Sequence, residues 1–174
     1  QLTPASYGTA SREFLLEHDF LPSSLRDAYQ GISQDVIALI DEAFANVAPR
    51  NIRCHGDGHV GNILSRNGDT QLVDFDDSRM APAIQDLWMF LSGDRDTQQG
   101  ALLELVEGYE EFREFSPREL RLIEPLRSLR IMHHAAWLAQ RWDDPAFPLA
   151  FPWFNSERYW GEHILSLREQ FVLL

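Results

Sequence analysis

The chain has 174 residues, with 15 arginines, no lysine and 27 acidic residues, for a formal net charge of −12. That balance argues against broad binding to nucleic-acid backbones, where a basic face supplies most of the affinity. No apolar run nears the roughly 20 residues that span a bilayer, and the opening has no secretory pattern. The lone Cys54 cannot form an internal disulfide. The expectation is therefore a cytoplasmic chain with no nucleic-acid or membrane partner.

A chain of this length buries roughly 70% of its unfolded surface, so residues 1–174 read as one domain, taken as a piece of something longer. Gln1 to Ser11 is polar and turn-rich and predicts an irregular or short helical lead-in. From Gln34 to Val47 the residues Val36, Ile37, Leu39, Ile40, Ala43, Phe44 and Val47 recur at helical spacing before Pro49. Ile63-Leu64 and Leu72-Val73 flank Asn67-Gly68, the dipeptide most favoured in two-residue hairpin turns. A small hairpin is predicted there. Ala83 to Leu91 is apolar nearly all round, as in a buried helix, and Gln99 to Phe112 reads as an amphipathic one. Ser116-Pro117-Arg118-Glu119 has the form of a capping box, predicting a helix to about Trp142. Asp143 to Phe154 reads as a packed loop, and Asn155 or Ser156 caps a last helix through Arg168.

The chemistry concentrates in His55-Gly56-Asp57-Gly58-His59-Val60-Gly61-Asn62 and in Val73-Asp74-Phe75-Asp76-Asp77. With Asn67-Gly68 as the turn, residues whose numbers sum to 135 pair across the hairpin, so Asn62 faces Val73 and Asp74 lies one residue beyond. An amide oxygen and a carboxylate then share its open end. Such hard oxygen donors suit magnesium, which takes one or two ligands from protein and the rest from phosphates and water. Asp57, on a glycine-lined loop, suits a group that orients an attacking hydroxyl or accepts its proton.

This arrangement resembles the catalytic and metal-binding loops of aminoglycoside and choline phosphotransferases, which share the protein-kinase fold. Further blocks extend the likeness: Ala81-Pro82-Ala83 as a Gly-like turn, Gln85-Asp86-Leu87-Trp88, Tyr109 to Phe112, Ile123 to Arg127 and Asp144 to Pro148. With them, most of residues 12 to 170 resembles stress response kinases of the YihE (RdoA) type. The resemblance implies the C-terminal, catalytic-loop lobe of a kinase-like α+β fold, mostly α with a small β-hairpin. It also implies a bacterial, cytoplasmic serine/threonine protein kinase using ATP and Mg2+.

Carried over by position, Asp57 is the catalytic base, and Asp74 belongs with it in the catalytic set. Asn62 and Asp74 bind the metal and nucleotide, while His55, His59 and Asp86 support the site, Asp86 by bracing the loop through its backbone N–H groups. Ala81 stands where relatives often have Gly, which touches the turn and not the chemistry. Kinases also need a small-lobe Lys and a Gly-rich loop over the phosphates. This sequence has neither, so the N-terminal ATP-binding lobe is expected to be a missing partner and this chain alone to be inactive.

Blander readings accompany the sharp ones. Asp76 and Asp77 read equally as solvated acids or as supports, and Glu104, Glu107, Glu110, Glu111 and Glu114 as a solvated face. His133-His134 is a poor metal pair, because adjacent helical residues point about 100° apart. The aromatics from Trp137 to Trp160 read first as packing. Three function classes stay open: a phosphotransferase to a protein Ser/Thr or to a small alcohol, a metal-dependent phosphoesterase suggested by Gly56-Asp57-Gly58-His59, and a non-catalytic binding domain.

Overall fold

The computed structural model describes residues 1–174, with every side chain except that of Arg95. The chain is mostly helical and forms two compact units, one of Thr3–Asn46 with Glu124–Leu174, the other of Gln1–Leu2 with Val47–Ile123.

The first unit is all helix. Thr3 and Ser6 cap each other reciprocally, the Ser6 N–H donating to Thr3 Oγ1 at 3.0 Å and the Thr3 N–H to Ser6 Oγ at 3.1 Å. They open a π-helical stretch, Pro4–Thr9, that runs into α1, Ala10–Glu17, so the lead-in is helical throughout. Helix α2 spans Ser23–Val47 and begins well before the predicted Gln34. Its buried stripe runs Tyr29, Ser33, Val36, Ile40, and the two polar members hide it from hydropathy. Arg12 Nε donates to the Ser33 hydroxyl at 3.0 Å, and that hydroxyl donates to the Tyr29 carbonyl at 2.6 Å.

Helix α5, Ile123–Gln140, buries Leu126, Leu129, Met132 and Ala136. A Cβ on Gly8 would lie 3.1 Å from Leu129 and 3.3 Å from Ile37, so the first turn presses closely on α2 and α5. The predicted loop at 143–154 contains a short helix, α6, Ala146–Ala150. Ser156 caps α7, Glu157–Leu173, which extends past the predicted Arg168. The aromatics pack on one another, with ring centroids 4.9 Å apart for Trp142–Phe154 and Phe154–Tyr159 and 5.3 Å for Trp137–Phe147. His133 stacks on Tyr7 and His134 on Trp137.

The second unit carries the strands. β1, Asn51–Cys54, pairs antiparallel with β4, Arg79–Pro82, from Asn51↔Pro82 to Cys54↔Arg79. Ala81 and Pro82 thus close a strand, not the predicted turn. The Leu2 N–H donates to the Met80 carbonyl at 2.9 Å. β2, Ile63–Arg66, and β3, Asp69–Leu72, form the predicted hairpin with Ile63↔Leu72 in register. Asn67 and Gly68 both have positive φ, 54° and 88°, the twist-matched turn that this dipeptide favours. α3 is only Ile84–Trp88, and α4 runs Arg95–Glu110 behind the Asp94 cap. The predicted capping box at Ser116 does not form: Ser116 has no side-chain cap bond, and Pro117–Leu122 is a 3-10 stretch leading to α5. Glu119 instead accepts the Ile84 N–H at 3.1 Å.

His163 lies in the core of the helical unit, stacked on Tyr29 and Tyr159, its Nε2 enclosed with no hydrogen-bond partner among the described residues. Burial pushes its pKa down to about 4. The native state then binds fewer protons than the unfolded state between about pH 4 and the ordinary value near 6.5. Stability is therefore lost as pH falls through that window, by about 3 kcal/mol in full. Urea unfolding of the protein at pH 7 and pH 4, against His163→Phe, checks this: the variant is expected to lose less stability on acidification.

Candidate active site

The site grows from the end of β1. The His55 N–H donates to Asp86 Oδ2 at 2.6 Å and the Gly56 N–H to Asp86 Oδ1 at 2.9 Å. One carboxylate thus satisfies two successive backbone donors. Gln85 works from the same short helix, donating from Nε2 to the Gly56 carbonyl at 3.0 Å. Trp88 Nε1 lies 3.3 Å from Gln85 Oε1 and fixes the amide's orientation.

Gly56 has φ 87°, and a Cβ there would sit 2.1 Å from the Asp77 carbonyl oxygen. Only a residue without a side chain lets the loop pass the Asp77 segment so closely. Gly58 is less constrained, since its Cβ would meet only Asp86 atoms at ordinary contact, 3.5 Å and beyond.

Past this clamp, the Asp57 carbonyl accepts from the His59 N–H and from Asn62 Nδ2, each at 3.0 Å. The Asp57 side chain is about one-fifth exposed, and its Oδ2 lies 3.4 Å from His59 Nε2. His59 Nδ1 accepts from the Gly61 N–H at 2.9 Å, which puts the ring proton on the nitrogen facing Asp57. A Cβ on Gly61 would fall 2.7 Å from the His59 ring, so a larger residue there would displace the imidazole.

The loop is tied to the hairpin twice. Asn62 faces Val73 as the register requires, its carbonyl accepting the Val73 N–H at 3.0 Å. His55 Nε2 donates to the Val73 carbonyl at 2.9 Å, with its ring 4.7 Å from that of Phe75. The His55 Nδ1 is buried with no hydrogen-bond partner among the described residues. Asp74 follows with φ 65° and ψ 66°, the left-handed region that costs a non-glycine residue roughly 1 kcal/mol or more. Its exposed carboxylate stands at the open end of the hairpin. Asp77 is held by Arg79, which bonds both its carbonyl and its carboxylate. Asp76 is exposed.

These positions decide what the site can hold. The Asn62 amide nitrogen is engaged by the Asp57 carbonyl, which leaves its oxygen as the donor to a cation. Among the described residues, no group of three or more His, Cys, Asp or Glu is placed to hold a metal ion. One amide oxygen and one carboxylate fit magnesium arriving with phosphates, not a metal caged by protein alone. The His133-His134 pair is engaged in ring stacking.

The bracing roles of Gln85 and Glu119 escaped the sequence reading. A buried glutamine beside Asp86 in an otherwise apolar helix was the available signal for Gln85, whereas Glu119 shows no local sign of its long-range partner. Cys54, 3% exposed, ends β1 with its sulfur 3.4 Å from the Pro82 carbonyl oxygen. Burial, reinforced by the Asp86 and Glu119 charges, pushes its thiol up to about 12.

Comparison with known proteins follows the same loops. Residues 7–123 match the phosphotransferase enzyme family. The chain belongs to that family. Stress response kinase A of Escherichia coli O157:H7 is 43% identical over 163 residues, covering 94% of this chain and 49% of that protein. The serine/threonine protein kinase RdoA of Salmonella typhimurium is 41% identical over 170 residues, 98% of this chain and 51% of the relative. The chain thus spans about half the length of the curated relatives it matches. Among solved structures, spectinomycin phosphotransferase APH(9)-Ia, in complex with ADP and spectinomycin, shares the fold at TM-score 0.50 and 19% identity. That match covers 94% of this chain and 52% of the other. Among the described residues, no helix is long and apolar enough to cross a membrane.

The glycine geometry gives a direct test. Gly56→Ala is expected to lower unfolding stability by about 2 kcal/mol or more, from the positive φ and the backbone collision, while Gly58→Ala changes it by less than about 1 kcal/mol. Denaturant midpoints of the two variants check the contrast.

Proposed function

We propose that the protein carrying this chain is a kinase that transfers the γ-phosphoryl group of Mg-ATP to a hydroxyl, most simply a protein serine or threonine. The reading places it in the cytoplasm, in a bacterial stress response. The observation that carries it is the braced loop that sets Asp57 and Asn62 beside the hairpin end bearing Asp74, in a family whose known members at this similarity are named kinases. In this reading the chain is the catalytic-loop lobe, and another part of the protein brings the phosphate-binding lysine and the glycine-rich loop.

Each residue's role follows from its setting. Asp57 orients the acceptor hydroxyl and takes its proton as the new O–P bond forms and the bond to ADP breaks. Asn62, through its amide oxygen, and Asp74, through its exposed carboxylate, would hold magnesium. When bound, the ion neutralises charge on the phosphate oxygens. His55 and Asp86 fix the loop's path, and His59 sits against the Asp57 carboxylate where it limits that side chain's swing.

A small-molecule alcohol acceptor is the second reading. It is favoured by the short path from Asp74 to Asp86, which is filled by a single turn, β4 and the first residues of α3. That leaves no room for the long segment with which many protein kinases order a peptide substrate.

The test is transfer of labelled phosphate from ATP by the intact protein to a basic protein and to small alcohols. Asp57→Asn is expected to cut turnover by about 10²-fold or more, and Asp74→Asn to lower turnover and raise the magnesium concentration needed for half-maximal rate. Label on Ser or Thr supports the protein kinase, and label on alcohols alone supports the second reading. Undiminished transfer by Asp57→Asn overturns the assignment. Transfer by this chain alone, abolished by that substitution, would overturn the need for another lobe.

A further inference from the structure

At the Asn51 end of β1, roughly 13 Å of strand from the His55 loop, lies a cavity of about 290 Å³. Its lining includes the polar residues Arg50, Arg113, Tyr109 and Ser116 and the apolar Ile52 and Phe115. A space of this size sits near the lower bound of small-molecule pockets, roughly 300 Å³.

The polar groups there are uncommitted. In a chain where acids outnumber bases 27 to 15, neither guanidinium has an ion-pair or side-chain hydrogen-bond partner among the described residues. The Ser116 hydroxyl makes no capping bond. Glu114 also borders the cavity without pairing with either arginine. Glu119, the other acid of the lining, is 5% exposed and turns its carboxylate to the Ile84 N–H. Burial raises its pKa above the usual carboxylate range.

We propose that this cavity binds a small organic anion, its carboxylate or phosphate held by Arg50 and Arg113 and its apolar body resting on Ile52 and Phe115. Arginine suits this role, because its planar fork matches both anions in bidentate geometry. Tyr109 and Ser116 add neutral donors to the same lining. The size of the space limits the body to about one ring.

Isothermal titration of the intact protein with phenyl phosphate, benzoate and inorganic phosphate tests this, with binding as its readout, so it stands or falls apart from the phosphotransfer assignment. Saturable binding of phenyl phosphate or benzoate is expected at a Kd of about 1 mM or below, and whichever binds tighter identifies the headgroup. Arg50→Gln and Arg113→Gln, both at exposed positions, are each expected to weaken it about tenfold. No saturation by about 10 mM, inorganic phosphate binding as tightly as the organic anions, or binding that both variants leave unchanged overturns the proposal.

Discussion

The carboxylate of Asp86 receives two consecutive backbone N–H groups, from His55 and Gly56, and the course of the whole loop depends on that clamp. A turn of backbone leaving a strand has donors that neither helix nor sheet can satisfy, and an unpaired buried donor costs roughly 1–3 kcal/mol. A carboxylate answers both at once and makes charge-assisted bonds. Its own position is secured in turn. α3 is too short to be stable alone, and Glu119 anchors its first N–H from a distant part of the chain. Two acids thus act in series, the buried Glu119 holding the helix and the half-buried Asp86, on that helix, holding the loop.

The loop and the hairpin are locked by a different kind of contact. His55 reaches the Val73 carbonyl while the Val73 N–H reaches Asn62, so one residue of the hairpin is gripped on both its backbone groups. That grip sits immediately before Asp74, whose left-handed conformation would relax in a free peptide. The strain is held in place by its neighbours.

How much of this could be read from the sequence depended on the range of the interaction. The hairpin register was legible because Asn67-Gly68 dictates its own turn, and once the turn is set the pairing of Asn62 with Val73 is arithmetic. The β1–β4 ladder was not legible, since its four-residue strands lack alternation and meet across 24 intervening residues. The early start of α2 was hidden because Tyr29 and Ser33 continue the buried stripe with polar atoms. Ser116 and Glu119 have the letters of a capping box, but a tertiary donor, the Ile84 N–H, won the carboxylate. The candidate site residues could be named, yet their bracing by Gln85 and the close passage of Gly56 past Asp77 belong to three dimensions alone.

The buried thiol at the end of β1 is shielded from oxidants. Oxidants and disulfide partners react with the exposed thiolate, and Cys54 is both enclosed and held in its protonated form. It is also the single cysteine of the sequence. Peroxide therefore finds no reactive thiol in this chain, and the thioether beside the braced loop's supports is that of Met89, 3.5 Å from the Gln85 amide nitrogen.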